Sequence, residues 1–403
     1  MIYTLESEYS QGQYIQWIEA VKRTGLPFEN LLWNLTSNSK VIDLPSFLEI
    51  QENIDKINSK ITNDDYLLVD AAFIHGGSSI ELEYYDNWTN GLYHINKINA
   101  KKIIIFYQDM GFSYENNPND KIQVITPLYD ISKQVDIENN FNYYLFNAGY
   151  SNYRWLSQMV FEQYPHIVRY KKFLSYNGYV KSHRTLLYHL LKKGNLLNEF
   201  FYSNIAYNVY NGEGRYIGNE DEISFDNQML SVFGDEIFNT ISKEEYDDII
   251  KKDFPIVLDS TGYSHQYALV LPYTCNSYIE VVCATAFLSD AQSFKEIYTS
   301  EKIYKPFLSF QIPIYLGQPF LCKTLKQLGF DLFEDLIDIS YDTDLNDLNR
   351  IKMVYENINN ISKMSNIDLH KYYQSNTDRL LNNFNKLREL SNKQIEHLKN
   401  ILK

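Results

Sequence analysis

The chain has 403 residues, 44% hydrophobic and 22% charged, a length suited to two or three domains and a composition that excludes a disordered polymer. Its formal net charge is −14. No Lys/Arg run exceeds pairs such as Lys171-Lys172 and Lys192-Lys193, so the basic stripe that grips a phosphate backbone is missing and duplex nucleic acid is disfavoured as a partner.

The first residues, MIYTLESEYSQGQY, lack the basic start and apolar centre of a signal peptide. The segment 30–36 reads as a strand, and 47–61 has helical apolar spacing. The continuous apolar run at 66–74 is of buried-strand type, 90–100 is helix-compatible, and 102–107 (KIIIFY) is another buried strand. Apolar runs separated by helical stretches predict βαβ units and a parallel sheet.

The middle of the chain begins near Tyr164-Pro165. A strand at 172–176 leads through an Asn177-Gly178 turn into a helix at 182–193, with Ser182 placed to cap its start and Gly194 its end. A polar loop follows at 211–219. Further on, a strand at 279–287, a helix at 301–310, a strand at 312–316 and a short helix at 322–328 ended by Gly329 repeat the alternation. The most apolar stretch, 306–322, is too short to span a bilayer comfortably and holds Pro313, Gly317 and Pro319. Cys275, Cys283 and Cys322 have neither metal-site nor redox spacing and read as reduced thiols in a cytoplasmic protein. From Asp344 the pattern is helical, with Leu380, Phe384, Leu387, Ile395 and Leu398 near one face. That predicts helices packed on the body, with a homodimer through the C-terminal helices as the alternative.

Two segments share the form of a turn feeding a helix whose first turn is basic. In FLSYNGYVKSHRTLLYHLL, Lys181, His183 and Arg184 gather where a helix already presents free N–H groups and partial positive charge. Basic residues there oppose the dipole, which an anion would resolve, and Arg184 suits a diphosphate clamp. Asn177-Gly178 lets the backbone approach a ligand. The competing reading of Arg184 is a salt bridge on a solvated helix face. In YTSEKIYKPFLSFQIPIYLGQP, Thr299 or Ser300 can cap the helix, Glu301 and Lys302 lie in its first turn, and Lys305 follows one turn later. The competing reading is an amphipathic helix with ordinary surface charges.

Ser300-Glu301-Lys302, Tyr304 and then Ile312-Pro313-Ile314 resemble the donor-binding motif of fucosyltransferase-like enzymes. The continuation at 319–342 and the upstream segment KKFLSYNGYVKSHRTLLYHLLKKGNLL look like phage and bacterial relatives of those glycosyltransferases. The resemblance covers about a quarter of the chain. It implies an α/β protein of the GT-B kind, with two Rossmann-like domains facing a cleft. The domains would be an acceptor domain at 1–163, a donor domain at 164–343 and a helical C-terminal extension at 344–403. It implies a nucleoside diphosphate sugar as donor substrate, no cofactor and no metal, and a setting in the cytoplasm of a bacterium or virus-infected cell. Arg184 and Lys302 would contact the diphosphate and Glu301 the sugar nucleotide, with Asn177, Lys181, Ser300 and Lys305 completing the donor set. The acceptor would be a glycan, a protein or a modified base. One position departs from the family pattern. Ala284 stands where an acid is expected, with Glu280 and Asp290 as possible substitutes, so a catalytically silent sugar-nucleotide or glycan-binding protein is a second reading. A third is an assembly protein working through its C-terminal helices.

Candidates for the base that activates the acceptor are Asp70, His75, Glu81 and Asp109, near the ends of the first half's strands. Asp342-x-Asp344 imitates a metal-binding pair but sits in an acidic stretch that reads as a boundary between helices. His183 and His265 lack a second histidine at ligand spacing.

Overall fold

The computed structural model describes residues 2–7, 40–44, 50–71, 95–107, 109–110, 121–125, 167–177, 180–204, 224–254, 256, 258, 271–284, 286–289, 297–298 and 301–401. The chain divides into two compact units. One comprises Met1–Leu156, Phe294–Glu301 and Leu387–Lys403; the other comprises Ser157–Ser293 and Lys302–Lys386.

The first unit holds a five-stranded sheet in the order β2-β1-β3-β4-β6, with every pairing parallel. Its strands are β1 (Ile2–Ser7), β2 (Lys40–Leu44), β3 (Tyr66–Ala71), β4 (Lys102–Tyr107) and β6 (Ile122–Ile125). Leu67, Leu68, Val69, Ile103 and Ile104 are buried, as expected of central parallel strands covered on both faces. Helix α1 (Ile50–Asn58) ends on a short 3₁₀ turn at Ile95–Lys97, with the Asn58 side chain donating to Lys97 O (3.1 Å) and accepting from Asn99 N (2.6 Å). The helix expected across 90–100 is, among the described residues, only that turn. The expected strand at 30–36 lies outside the described residues, whereas β1 and β2 were not foreseen. A two-stranded antiparallel pair, β5 (Asp109–Met110) with β10 (Ile297–Tyr298), completes the strands described here.

The second unit carries a four-stranded parallel sheet in the order β11-β9-β7-β8. Its strands are β7 (Lys171–Asn177), β8 (Phe200–Asn204), β9 (Ser277–Cys283) and β11 (Ile312–Leu316), and β9 and β11 are buried along their whole length. Helix α2 (Ser182–Lys193) lies between β7 and β8 in sequence, and α4 (Glu301–Leu308) between β9 and β11. Between them in the chain comes α3 (Lys243–Asp248), closed by a Ser242–Glu245 capping box. From β7 the chain steps to β8 on one side and later to β9 on the other. Right-handed crossovers in opposite directions put α2 and α4 on opposite faces of the sheet. Strand alternation agrees: Arg184 of α2 acts on Cys283, Lys305 of α4 acts on Glu280, and these β9 residues point to opposite faces.

The helical expectation for the C-terminal part is met by α6 (Asp347–Ser362), α7 (Asn366–Ser375) and α8 (Thr377–Ile401), which follow α5 (Leu321–Gln327). Helix α6 buries Leu348, Ile351, Val354, Ile358 and Ile361 as one stripe and packs on α2 and β11. Helix α7 docks at the start of β9, where Arg169 is held between the Tyr278 and Tyr373 rings and Tyr278 Oη lies 3.0 Å from His370 Nδ1. On α8, Arg379 forks onto both oxygens of Asp331 (2.6 and 2.7 Å), Leu380 and Leu387 are buried, and Phe384 meets Phe310.

Two end-cap expectations need correction. Lys181, in extended backbone, is the N-cap of α2, and Ser182 is the first helical residue. At the other end Gly194 is not left-handed (φ −81°), and the left-handed residue is Asn195. Left-handed backbone also occurs at Phe310, Phe320 and Phe333, each at a cost of about 1–2 kcal/mol to an L side chain. Gly317, just past β11, is required for space: a Cβ there would meet Leu321 Cδ2 at 2.6 Å and Ala284 Cβ at 3.3 Å. Gly317→Ala is therefore expected to lower unfolding free energy by about 1–3 kcal/mol, seen as an earlier urea midpoint with unchanged slope.

Candidate functional site

In an open parallel α/β sheet the crevice that takes a ligand opens at the carboxyl ends of the strands, where the strand order reverses. In the second unit that point lies between β7 and β9. Strand β7 ends at Asn177, which is 2% exposed. Its Nδ2 donates to Ser175 Oγ (3.2 Å), and its Oδ1 is buried with no hydrogen-bond partner among the described residues. Such an acceptor is costly unless a donor arrives. The start of α2 follows, with Lys181 half-buried at its cap.

Arg184 is 2% exposed, which removes the alternative of a salt bridge on a solvated helix face. Its Nη2 donates to Cys283 O (3.2 Å) at the end of β9. Its charge also bears on the buried Tyr202, whose Oη donates to Arg184 O (3.4 Å) and is linked to the Asn177 side chain. Burial and the Cys283 thiol raise the Tyr202 phenol well above its ordinary range, so it stays neutral. Asn177, Arg184, Tyr202 and Cys283 thus converge at one edge of one sheet.

His183 is buried beside them. Its Nε2 lies 3.0 Å from Ala284 O, and because a carbonyl only accepts, that nitrogen carries the proton. Burial first, then the charges of Arg184 and Lys181, holds the imidazole well below its ordinary value of 6.5. It is neutral in the folded protein and serves as a donor to the loop after β9. On acidification the unfolded chain takes up a proton near pH 6.5 that the folded chain refuses. The stability contribution is therefore complete above that pH and is lost as pH falls towards the folded value. His183→Gln is expected to flatten the acid limb of stability against pH below about 6.5, measured by urea melts at several pH values. His189, also lowered by burial, keeps a residual slope in the variant.

The His183 ring stacks on Phe287 (4.6 Å, 19°), and the Arg350 guanidinium of α6 lies over the same ring (4.5 Å). Arg350, 1% exposed, donates to Phe287 O, to Asp344 O (2.9 Å) and to Asp347 Oδ1 (2.7 Å), and Asp347 accepts from Ser289 N (3.0 Å). The segment 286–289 is thus pinned from two helices. Sequence reading passed over this stack. Its one local signal is an arginine inside the apolar stripe of α6, four residues before Val354.

Ala284 is buried against Gly317, and its N–H donates to Leu316 O (2.8 Å). Glu280 does not take the place of the expected acid: it sits in mid-strand on the α4 face. Burial pushes its carboxyl up, with Lys305 pulling the other way. Asp290 lies outside the described residues. Lys302 is half-buried in the first turn of α4 and Lys305 one turn on. Glu301 begins α4, and Ser300 lies outside the described residues. Of the base candidates, Asp70 falls at the carboxyl end of β3, in register with Phe106, and Asp109 lies in β5 paired with Tyr298. His75 and Glu81 lie outside the described residues.

Asp342 has a defined job away from metal chemistry. Its carboxylate accepts from Cys322 N (2.8 Å) and Lys323 N (2.9 Å), capping α5. Asp344 accepts from Asn346 N and Asn349 Nδ2, both 2.8 Å or shorter.

The second unit is therefore an open parallel α/β sheet with a basic, polar cluster at its switch point. No protein-family model matches the sequence, and no curated protein matches it. Among solved structures the chain is similar to the crystal structure of an α1,3-fucosyltransferase, at 12% identity over 98% of this chain and 90% of that one, with a TM-score of 0.37. No helix among the described residues is long and apolar enough to cross a membrane.

Proposed function

We propose that the chain is a glycosyltransferase that moves a sugar from a nucleoside diphosphate sugar to an acceptor hydroxyl, without a metal, in a single inverting displacement. The observation that carries the reading is a buried arginine, Arg184, at a helix start that follows Asn177, whose Oδ1 has no hydrogen-bond partner among the described residues, at the switch point of a parallel sheet. Sugar transfer develops negative charge on the departing diphosphate. Without a metal, that charge is stabilised by guanidinium, ammonium and helix N–H groups. Arg184, Lys181 and Lys302 supply the cations, and the Asn177 turn allows the close approach. The likeness of the Ser300-Glu301-Lys302 segment to fucosyltransferase donor motifs supports the same assignment, with Glu301 on the sugar nucleotide and Lys305 turned to Glu280. Asp70, His75 and Asp109 are the candidates for the base that deprotonates a glycan, protein or modified-base acceptor.

The reading is tested by titrating GDP and UDP and then assaying hydrolysis across a panel of nucleotide sugars. Binding of one nucleotide with slow hydrolysis of its sugar conjugate supports an enzyme. Tight binding with no hydrolysis supports the second reading, a silent nucleotide-sugar-binding protein, which Ala284 in the place of an acid favours. Absence of binding to either nucleotide removes both.

A further inference from the structure

Three phenylalanines adopt the left-handed backbone that aromatic L residues avoid: Phe310, Phe320 and Phe333. Two are offset by burial. Phe310 is 1% exposed with its ring against Phe384 (5.3 Å), and Phe333 is fully buried under Arg379 (4.4 Å). Phe320 is 41% exposed. Burial therefore offsets its strain least, and glycine or asparagine would fit the same backbone at lower cost. The conformation is nonetheless fixed: Phe320 N donates to Asp342 O (2.8 Å), and the Asp342 carboxylate takes the next two free amides, Cys322 N and Lys323 N. Strained residues that the surroundings hold in place cluster at ligand clamps.

The position is informative as well. Phe320 lies three residues beyond Gly317, past the carboxyl end of β11, a strand in the same sheet as β7, which leads into the helix of Arg184. Strands β11 and β7 are two ladder steps apart, roughly 10 Å. An extended nucleoside diphosphate covers that distance. Lys323 Nζ sits 5.6 Å from the Phe320 ring centre.

We infer that the exposed Phe320 ring is the platform on which the base of the donor nucleotide stacks, while its diphosphate lies at the Arg184 helix start. This rests on the donor-site reading above. Aromatic rings stack on any base through its π-face, so the ring contributes affinity, and base choice falls to the polar groups around it.

The test compares wild type, Phe320→Asn and Phe320→Tyr by calorimetric titration with GDP, UDP and inorganic pyrophosphate, beside thermal melts. Asparagine tolerates the backbone and removes the ring; tyrosine keeps the ring. The expected result for Phe320→Asn is a roughly 5- to 100-fold loss of affinity for whichever nucleotide the wild type binds, with pyrophosphate affinity and melting temperature maintained. Phe320→Tyr is expected to stay near wild type. Unchanged nucleotide affinity in Phe320→Asn overturns the inference and leaves the donor site standing. Equal losses for nucleotide and pyrophosphate, or a collapse of melting temperature, overturn it as well, because the ring is then structural. A wild type that binds neither nucleotide nor pyrophosphate overturns the donor site and this inference together.

Discussion

Replacing Arg184 with alanine is expected to weaken GDP or UDP binding about 100-fold and to lower turnover by a further order of magnitude or more. Charge-assisted hydrogen bonds contribute about 1.5–3 kcal/mol each, and a forked pair to a diphosphate reaches the upper part of that range or beyond. Removing one donor to developing negative charge costs about 10²–10³ in kcat. The residue also holds Cys283 O (3.2 Å), so some stability is lost with it. Arg184→Lys separates the effects by keeping the charge and losing the fork, and an intermediate affinity is expected. If alanine lowers the melting temperature while nucleotide affinity stays at the wild-type value, Arg184 serves the fold alone.

The largest effect on stability is expected at Arg350. Arg350→Ala removes bonds to two carbonyls and leaves the part-buried Asp347 carboxylate without its cation, a change expected to cost about 3 kcal/mol. Burial already raises the Asp347 carboxyl and lowers the Arg350 guanidinium, each opposed by the other. The carboxyl is therefore expected to take up a proton more readily in the variant. The double change Arg350→Met with Asp347→Asn removes both charges and is expected to recover part of the loss in a urea melt. Equal losses in the single and double variants would show that the lost carbonyl bonds, and not the stranded carboxylate, dominate. Because Arg350 also covers the Phe287 ring on which His183 stacks, loosening of the 286–289 segment is expected to accompany the change.

Where an element was legible in the sequence, one physical signal dominated its surroundings. KIIIFY and IPIYL are uninterrupted apolar runs, and both appear as strands with the expected bounds. The helix at 182–193 is likewise bounded as expected, although Lys181 stands at the N-cap position without a side-chain cap bond and the left-handed residue is Asn195, one beyond Gly194. Strands β1 and β2 escaped notice because Thr4, Glu6 and Asp43 interrupt their apolar pattern, and their identity comes from parallel pairing to distant partners. The site divides along the same line. That a basic helix start follows an Asn turn is local information. That Arg184 is buried on the Cys283 carbonyl, or that His183, Phe287 and Arg350 stack, joins residues far apart in the chain. The left-handed Phe320 was invisible for a further reason: nothing in the residue type announces it, since that backbone belongs to glycine and asparagine.

We propose a diphosphate site at the switch point of the second sheet. Its most direct test is a crystal of the protein soaked with GDP or UDP. The account predicts density for the two phosphates against the Asn177 turn and the start of α2, within hydrogen-bond reach of Arg184. A nucleotide bound elsewhere with that edge empty, or no density for either at millimolar concentration, would contradict it.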